Sequence, residues 1–208
     1  MPDLTIKPNA GSGNKVILQD QAGGAVLTTA DSGASIANAT LVTPTIASMA
    51  NCTFPAGHVI QTVFNTTTTQ TEITATAAGS PTSTALTCAI TPKVSGSKIF
   101  GRIDIHIMLR GNTTVADAAV AFKVNDGSSY VFTQGADAHM GLYSYGGSGD
   151  PSDEWRGLQS IPFFINASNT SARTYTVYAW KYPSSNAPTV YAQVNSSLSS
   201  FSLMEIAQ

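Results

Sequence analysis

The sequence predicts an all-β protein, with a jelly-roll-like β-sandwich over residues 56–208 and an extended arm of short strands over residues 1–55. Three observations predict this class. Short segments alternate apolar and polar residues, which is the period of a strand with one buried face. Turns rich in Gly, Pro, Ser, Asn and Asp separate these segments at the spacing of a sandwich. Helical character is confined to one candidate turn, TTVADAAV at 113–120, which fits a loop leading into a strand equally well.

The predicted arm contains small apolar clusters that recur roughly every ten residues between Gly-, Ser-, Asn- and Asp-rich segments. Each cluster is too short to bury itself, and the first aromatic residue of the chain is Phe54. Two interpretations stay open: a flexible leader, or a segment that becomes ordered when three copies share one axis. The clusters are Val16–Leu18, Val26–Leu27, Ile36, Leu41–Val42 and Ile46.

Residues 98–111, KIFGRIDIHIMLRG, are the strongest strand candidate of the sandwich. Their strict alternation predicts one buried face, and Ile is well suited to a pleated core because a β-branched side chain loses little rotamer freedom there. The expected inward face is Ile99, Gly101, Ile103, Ile105, Ile107 and Leu109, and the expected outward face is Phe100, Arg102, Asp104, His106, Met108 and Arg110.

About ten further segments complete the predicted sandwich. In one of them we expect Leu86, Cys88 and Ile90 to share a buried side. The segments are GHVIQTVFN, QTEITATAA, TALTCAITP, AAVAFKVND, SSYVFTQ, HMGLYSY, LQSIPFFIN, RTYTVYAWKYP, TVYAQVNSS and SFSLMEI.

The segment SSLSSFSLMEIAQ at 196–208 ends on an alternating strand, which must pair with structure that is already folded because an isolated strand is unstable. In a jelly roll the first and last strands pair in the middle of one sheet, and we expect that arrangement here. Phe201, Leu203 and Ile206 are expected to be buried, and Ser202 and Glu205 are expected to face water.

Composition excludes several classes of function. Charged residues make up 11% of the chain, the formal net charge is −2, and Lys and Arg do not cluster, so the sequence has no surface for a nucleic-acid backbone. We expect no membrane insertion and no secretory signal, since neither a long apolar run nor a basic start is present. Cys52 and Cys88 are expected to be free thiols.

Catalytic chemistry is not predicted. The predicted sandwich, which we call the head, lacks paired carboxylates and nucleophile or phosphate-binding motifs, and its three histidines are widely separated. We therefore expect no enzyme activity, no cofactor and no metal. The candidate residues for contact with a glycan or receptor flank a Gly-rich segment, for which a solvated turn is the alternative: Tyr143, Tyr145, Asp150, Asp153 and Trp155. The candidates for the core or a trimer interface are Ile105, Ile107, Tyr178, Trp180, Phe201 and Leu203.

Three stretches carry a resemblance to a known family: FPAGHVIQTVFNTTTTQTEIT, LTCAITPKVSGSKIFGRIDIHI and FSLMEIAQ. Together with the shaft-like segment from residue 11 to 46, they resemble tail-fibre and related virion proteins of marine and freshwater bacteriophages. The resemblance covers nearly the whole chain and is weakest around residues 110–160. The layout is also distantly similar to trimeric heads of the tumour-necrosis-factor type.

The resemblance implies a homotrimeric virion protein, made in the cytoplasm of a host bacterium. Its arm would attach to another virion protein of the tail, baseplate or capsid, and its head would contact a glycan or protein of the host surface. A capsid decoration protein that stabilises the shell is the alternative, and a polysaccharide depolymerase is a third possibility that the missing carboxylate pair disfavours.

Overall fold

The computed structural model describes residues 16–19, 21–23, 25–30, 33–36, 55–110, 117–136, 138, 141–145, 154–182 and 188–208. The chain divides into two compact units, Met1–Asn51 and Cys52–Gln208. The boundary that composition predicts, between residues 55 and 56, lies four residues further along the chain than this division.

The described part of the first unit is an antiparallel sheet of three short strands, β1 (Ile17–Gln19), β2 (Ala25–Ala30) and β3 (Gly33–Ile36). The apolar clusters predicted near residues 17 and 27 are therefore strands, and Leu27 pairs with Ile36. Ile17 and Leu18 are 46% and 50% exposed, so β1 does not bury its own apolar residues. The clusters at Leu41–Val42 and Ile46 lie outside the described residues.

The second unit is built of antiparallel strands, and a 3₁₀ turn at Val194–Ser196 precedes the last of them. The strands are β4 (Val59–Thr67), β5 (Thr71–Glu72), β6 (Thr82–Ile90), β7 (Lys98–Arg110), β8 (Asp117–Asn125), β9 (Tyr130–Thr133), β10 (Leu142–Tyr145), β11 (Glu154–Asn166), β12 (Arg173–Lys181), β13 (Thr189–Ala192) and β14 (Ser199–Ile206).

Strand β7 organises the larger sheet, which has six strands among the described residues. One edge of β7 pairs with β11 over its full length, and the other edge pairs first with β14 and then with β13. Strand β14 lies between β7 and β4, with Leu203 opposite both Gly101 and Val63. The first and last strands of this unit are thus neighbours inside one sheet, as a jelly-roll-like sandwich requires.

The smaller sheet has five described strands in the order β10-β8-β12-β6, with β9 beside β10 on the same edge of β8. The inward faces of the two sheets enclose one core. Phe132 of the smaller sheet stacks on Phe163 at 5.1 Å between ring centroids, and Phe163 meets Phe201 at 6.0 Å. The inward residues predicted for β7 are buried, as are Leu86, Cys88 and Ile90.

The structure corrects several local expectations. Strand β5 contains only Thr71–Glu72, although QTEITATAA was predicted to be a full strand. Strand β11 begins at Glu154, four residues before the predicted segment. Met108 faces outward with the predicted polar set but is buried, since Arg156 and Tyr191 flank it on the neighbouring strands. Residues 117–120 of the candidate helical turn belong to β8, and the rest of that turn lies outside the described residues.

The last strand also differs from the sequence interpretation at its end. Phe201 and Leu203 are buried, as expected, but Glu205 is fully buried and Ile206 is partly exposed. Since alternate residues of a strand share a face, Glu205 must lie on the same face as Phe201 and Leu203. The expectation that Glu205 faces water was wrong because it was based on the polarity of the side chain and ignored the strand period.

Candidate assembly face

The outward face of the six-stranded sheet carries large apolar side chains that the sandwich does not cover. Phe100 of β7 lies opposite Met204 of β14 on one side and Phe164 of β11 on the other. The rings of Phe100 and Phe164 are 4.9 Å apart between centroids. Phe164 nevertheless remains 64% exposed. A cross-strand row of three apolar residues therefore lies on this face, near the end at which β7 begins.

The next row adds two more apolar groups. Phe64 of β4, which is 76% exposed, lies opposite the small side chain of Ser202, and Pro162 of β11 lies opposite Arg102. We call Phe64, Phe100, Pro162, Phe164 and Met204 together the Phe face. Contiguous exposed apolar groups of this kind mark interaction surfaces, whereas single exposed apolar residues do not.

Charged pairs flank the Phe face, and they include both signs. The Arg102 guanidinium contacts the Asp104 carboxylate at 2.9 Å. At the far end of β7, the Glu154 carboxylate forms ion pairs with the Arg110 guanidinium at 2.7 Å and the Arg156 guanidinium at 2.6 Å. The hydrogen bond from Arg110 holds the pKa of Glu154 below its ordinary value, against partial desolvation, and the bond from Arg156 adds to this effect. These side chains carry three positive and two negative charges, so the outward face contains both signs.

A shallow groove of about 410 Å³ lies on the same face beside the Phe face. Leu158 and Leu198 form its apolar sides and are 51% and 58% exposed. Its remaining lining is polar: Arg102, Asp104, His106 and Ser200. Apolar sides over a polar floor are a common lining for a site that receives a partly apolar group.

The outward face of the five-stranded sheet has a different chemistry. The Lys123 ammonium lies 4.8 Å from the Tyr130 ring centroid and 5.5 Å from that of Trp180, and it donates a 2.7 Å hydrogen bond to the carbonyl of Ala78. Tyr130 meets Tyr178 edge to face at 5.8 Å. Burial raises the pKa of the Tyr130 phenol, and the neighbouring Tyr178 raises it further. Lys123 thus fixes a loop over an aromatic cluster.

The three described candidates for glycan contact lie on strands of two different sheets. Tyr143 and Tyr145 belong to strand β10, opposite Ala119 and Asp117 of β8, and Tyr143 is 44% exposed. Trp155 belongs to β11 of the other sheet, where it packs against the core and its ring covers Gly157. Tyr143 and Tyr145 are therefore strand residues, as the predicted segment HMGLYSY has them, and Trp155 is a strand residue too. Contact with a glycan or receptor stays a prediction for all three. Asp150 and Asp153 lie outside the described residues.

The residues predicted for the core or a trimer interface separate into two groups. Four are in the main core, where each is at most 1% exposed: Ile105, Ile107, Phe201 and Leu203. Trp180 is buried in a second, smaller cluster on the outward side of the five-stranded sheet, and Tyr178 is half-buried beside Tyr130. The two strand aromatics therefore do not reach the main core.

The sequence interpretation missed Phe64 and Phe164 as functional candidates. For Phe164 a signal was present, because Phe163 and Phe164 are consecutive in a strand and must point to opposite faces. One of the two rings had to face outward. For Phe64 the signal was weaker, since the neighbouring Val63 and Ile60 left the inward face of β4 ambiguous.

The described part of the chain contains neither a candidate metal site nor a candidate membrane-spanning helix. No group of three or more His, Cys, Asp or Glu side chains there could hold a metal ion. Within the same residues, no helix has the length and apolar character needed to cross a membrane.

No protein-family model matches the sequence, and no curated protein matches it. Among solved structures, a chain of infectious bursal disease virus strain Gx has a TM-score of 0.36 and 12% identity, with 72% of this chain and 33% of that chain covered. A chain of strain Gt has a TM-score of 0.37, 10% identity and coverage of 88% and 48%. A chain of the native virion of Kashmir bee virus has a TM-score of 0.23 and 11% identity, with 98% of this chain and 94% of that chain covered. The chain spans a third to a half of the two bursal disease virus chains, and at these TM-scores no functional conclusion follows.

Proposed function

We propose that this protein is a non-enzymatic structural component of a bacteriophage virion, and that its sandwich units form a homotrimer through the Phe face. The observation that carries the proposal is the exposure of Phe64 and Phe164, at 76% and 64%, on one side of one sheet. The resemblance of the sequence to tail-fibre and related virion proteins supports the same role.

The energetics favour a covered Phe face. Burying one Phe side chain contributes about 1.5–3 kcal/mol, so leaving several exposed forgoes a large part of the stability of a domain. Strands β4 and β14 have 9 and 8 residues, and β7 and β11 have 13 each. At about 4.8 Å between strands and about 3.4 Å per residue, their common face covers roughly 700 Å². A standard protein interface buries about 800 Å² on each partner.

Three features favour a second copy of this chain as the occupant. The face carries both charge signs, in the pairs Arg102–Asp104 and Arg110–Glu154, so two copies can meet without uniform like-charge repulsion. Strand β4 directly follows the N-terminal segment in the chain, so copies that associate near β4 bring their N-terminal segments together. Pro162 lies in the middle of β11 and has no N–H to donate, which disfavours strand-to-strand pairing at that edge of the sheet.

The two roles expected from the resemblance share this assembly. In a fibre or spike, the arm attaches to the tail or baseplate and the head meets a glycan or protein of the host surface. In a decoration protein, the trimer lies on the capsid and the arms stabilise the shell. Cryo-electron microscopy of intact particles separates them: density on the tail supports the fibre, and density repeated over the shell supports the decoration protein.

Sedimentation analysis of the full chain tests the assembly. The wild-type protein should sediment as a trimer, and Phe164→Asp should shift it toward monomer at equal concentration. Tyr143→Asp is the matched control, since it places the same charge at an exposed aromatic residue of the other sheet. A wild-type monomer at all concentrations, or a Phe164→Asp trimer as stable as the wild type, would contradict the proposal.

A further inference from the structure

We infer that the Phe64 ring of one copy inserts into the groove between Leu158 and Leu198 of a neighbouring copy. This inference rests on the proposed self-association and names the contact that carries it. It commits to one occupant of the groove, an aromatic side chain of a second copy of this chain.

Phe64 is presented on a firmly held strand. Its ring is 76% exposed and faces Ser202, whose side chain is too small to cover it. On either side of Phe64, the Asn65 amide donates to the carbonyl of Thr87 at 3.0 Å and the Gln61 amide donates to that of Thr91 at 2.7 Å. These bonds tie β4 to β6 of the opposite sheet. Little backbone freedom is therefore lost when the ring meets a partner, which favours binding.

The groove has the size and lining for an aromatic ring. Its volume of about 410 Å³ exceeds what a single benzyl group needs, and its two exposed leucines provide apolar contact on opposite sides. Arg102 forms part of the lining, and Asp104 fixes its guanidinium through two hydrogen bonds of 2.9 and 3.1 Å. A guanidinium held in this way can stack on an incoming ring.

Phe64 does not line the groove of its own chain. Phe64 lies on β4 in the row of Ser202 and Arg102, and Leu158 lies on β11 in the row of His106. Three strand spacings, about 14 Å, separate β4 from β11. The ring and the groove are distinct parts of one surface, so the ring of one copy meets the groove of the next. Repeated around a three-fold axis, this contact closes a ring of three.

Disulfide trapping tests the contact directly. Phe64→Cys and Leu158→Cys are combined in one full-length chain that also carries Cys52→Ser, while Cys88 stays because it is buried at 2% exposure. A disulfide requires Cα atoms within about 7 Å, so the pair cannot close within one chain. Oxidation should yield covalent oligomers up to the trimer. Phe64→Cys with Tyr143→Cys is the matched control and should give none.

A second experiment measures the affinity of self-association. Phe64→Ala should weaken self-association by at least about 10-fold in Kd, whereas Thr62→Ala, exposed on the same face of the same strand, should leave it within about 2-fold. If the wild type is a trimer but no covalent oligomer forms and Phe64→Ala binds normally, this inference fails and the proposed function stands. If the wild type is a monomer, the proposed function fails as well.

Discussion

The carboxylate of Glu205 accepts a 2.8 Å hydrogen bond from the hydroxyl of Ser97, and both side chains are buried. The same carboxylate accepts hydrogen bonds from the backbone N–H groups of Lys93 and Val94 at 2.9 Å and from the Gln61 side-chain amide at 2.6 Å. Burial raises the pKa of Glu205, but the bonds from Lys93, Gln61, Val94 and Ser97 outweigh it, and the pKa lies below its ordinary value of 4.5. Glu205 thus joins β14 to β4 and to the turn before β7.

Stability should depend on the charge of Glu205. A folded-state pKa below the unfolded value stabilises the fold fully above about pH 4.5, and this contribution is lost as pH falls through the folded pKa. Glu205→Gln should lower the free energy of unfolding by about 3 kcal/mol at pH 7, because an amide nitrogen then faces buried donors. Urea titrations from pH 7 to pH 3 should show the gap between variant and wild type closing at low pH.

Glu72→Gln is the control for this series, since Glu72 is exposed on β5. Its effect should stay within about 0.5 kcal/mol at every pH. A gap between Glu205→Gln and wild type that does not change with pH would show that the stabilisation does not come from the carboxylate charge.

Gly101 should not tolerate a side chain. A Cβ atom at this position would overlap the ring of Phe163, which packs between Phe132 and Phe201 in the core. Gly101→Ala should therefore lower the free energy of unfolding by about 1–3 kcal/mol, as overpacking does. Gly79→Ala is the matched control, because nothing lies within 4 Å of its added Cβ. Thermal unfolding of both variants measures the difference, and equal melting temperatures would contradict the packing described here.

Cys88 should be inert in the folded protein. Burial raises the pKa of its thiol to about 11, so very little thiolate exists near neutral pH. In a Cys52→Ser variant at pH 8, a thiol reagent should react at least about 100-fold more slowly with the folded chain than with the chain in urea. Similar rates in both conditions would mean that β6 opens readily.

Lys123 should contribute to stability through its ring contacts and its bond to Ala78. Lys123→Met keeps most of the aliphatic volume but removes the ammonium, and it should cost about 2 kcal/mol of unfolding free energy. Lys98→Met, at an exposed position of β7, is the control and should cost less than about 0.5 kcal/mol. Urea denaturation measures the free energy of unfolding of both variants. Equal effects would mean that the contacts with Tyr130 and Trp180 contribute no net stability.

Much of the fold was predictable because strand period and burial agree. The Ile face of β7 and the turns between strands needed only alternation and turn chemistry. The interior position of β14 followed from the jelly-roll assignment. Alternation applied strictly would also have placed Glu205 inside, beside Leu203. Its hydrogen-bond donors lie more than 100 residues earlier in the chain, so the sequence alone offers no way to identify them.

The candidate site was less predictable for a similar reason. Because Phe163 and Phe164 are consecutive in a strand, the sequence predicts that one of their rings faces outward. Only the order of the strands places that ring beside Phe100 and near Phe64. The aromatic cluster around Lys123 also depends on distant segments, since the Ala78 carbonyl and the Tyr130 ring come from different loops and strands. Tyr143 and Trp155 were close in sequence, yet they belong to different sheets.

The pairing of β4 with β14 also governs how fast the sandwich can form. Val63 lies opposite Leu203, about 140 positions later in the chain. Contacts between such distant residues make β-sandwiches fold in milliseconds to seconds, far more slowly than proteins with local contacts. Until β14 pairs with them, β4 and β7 both have an unpaired backbone edge next to exposed phenylalanines. Newly made chains therefore pass through a stage that is prone to aggregation, and the yield of native subunits should fall as the rate of synthesis rises.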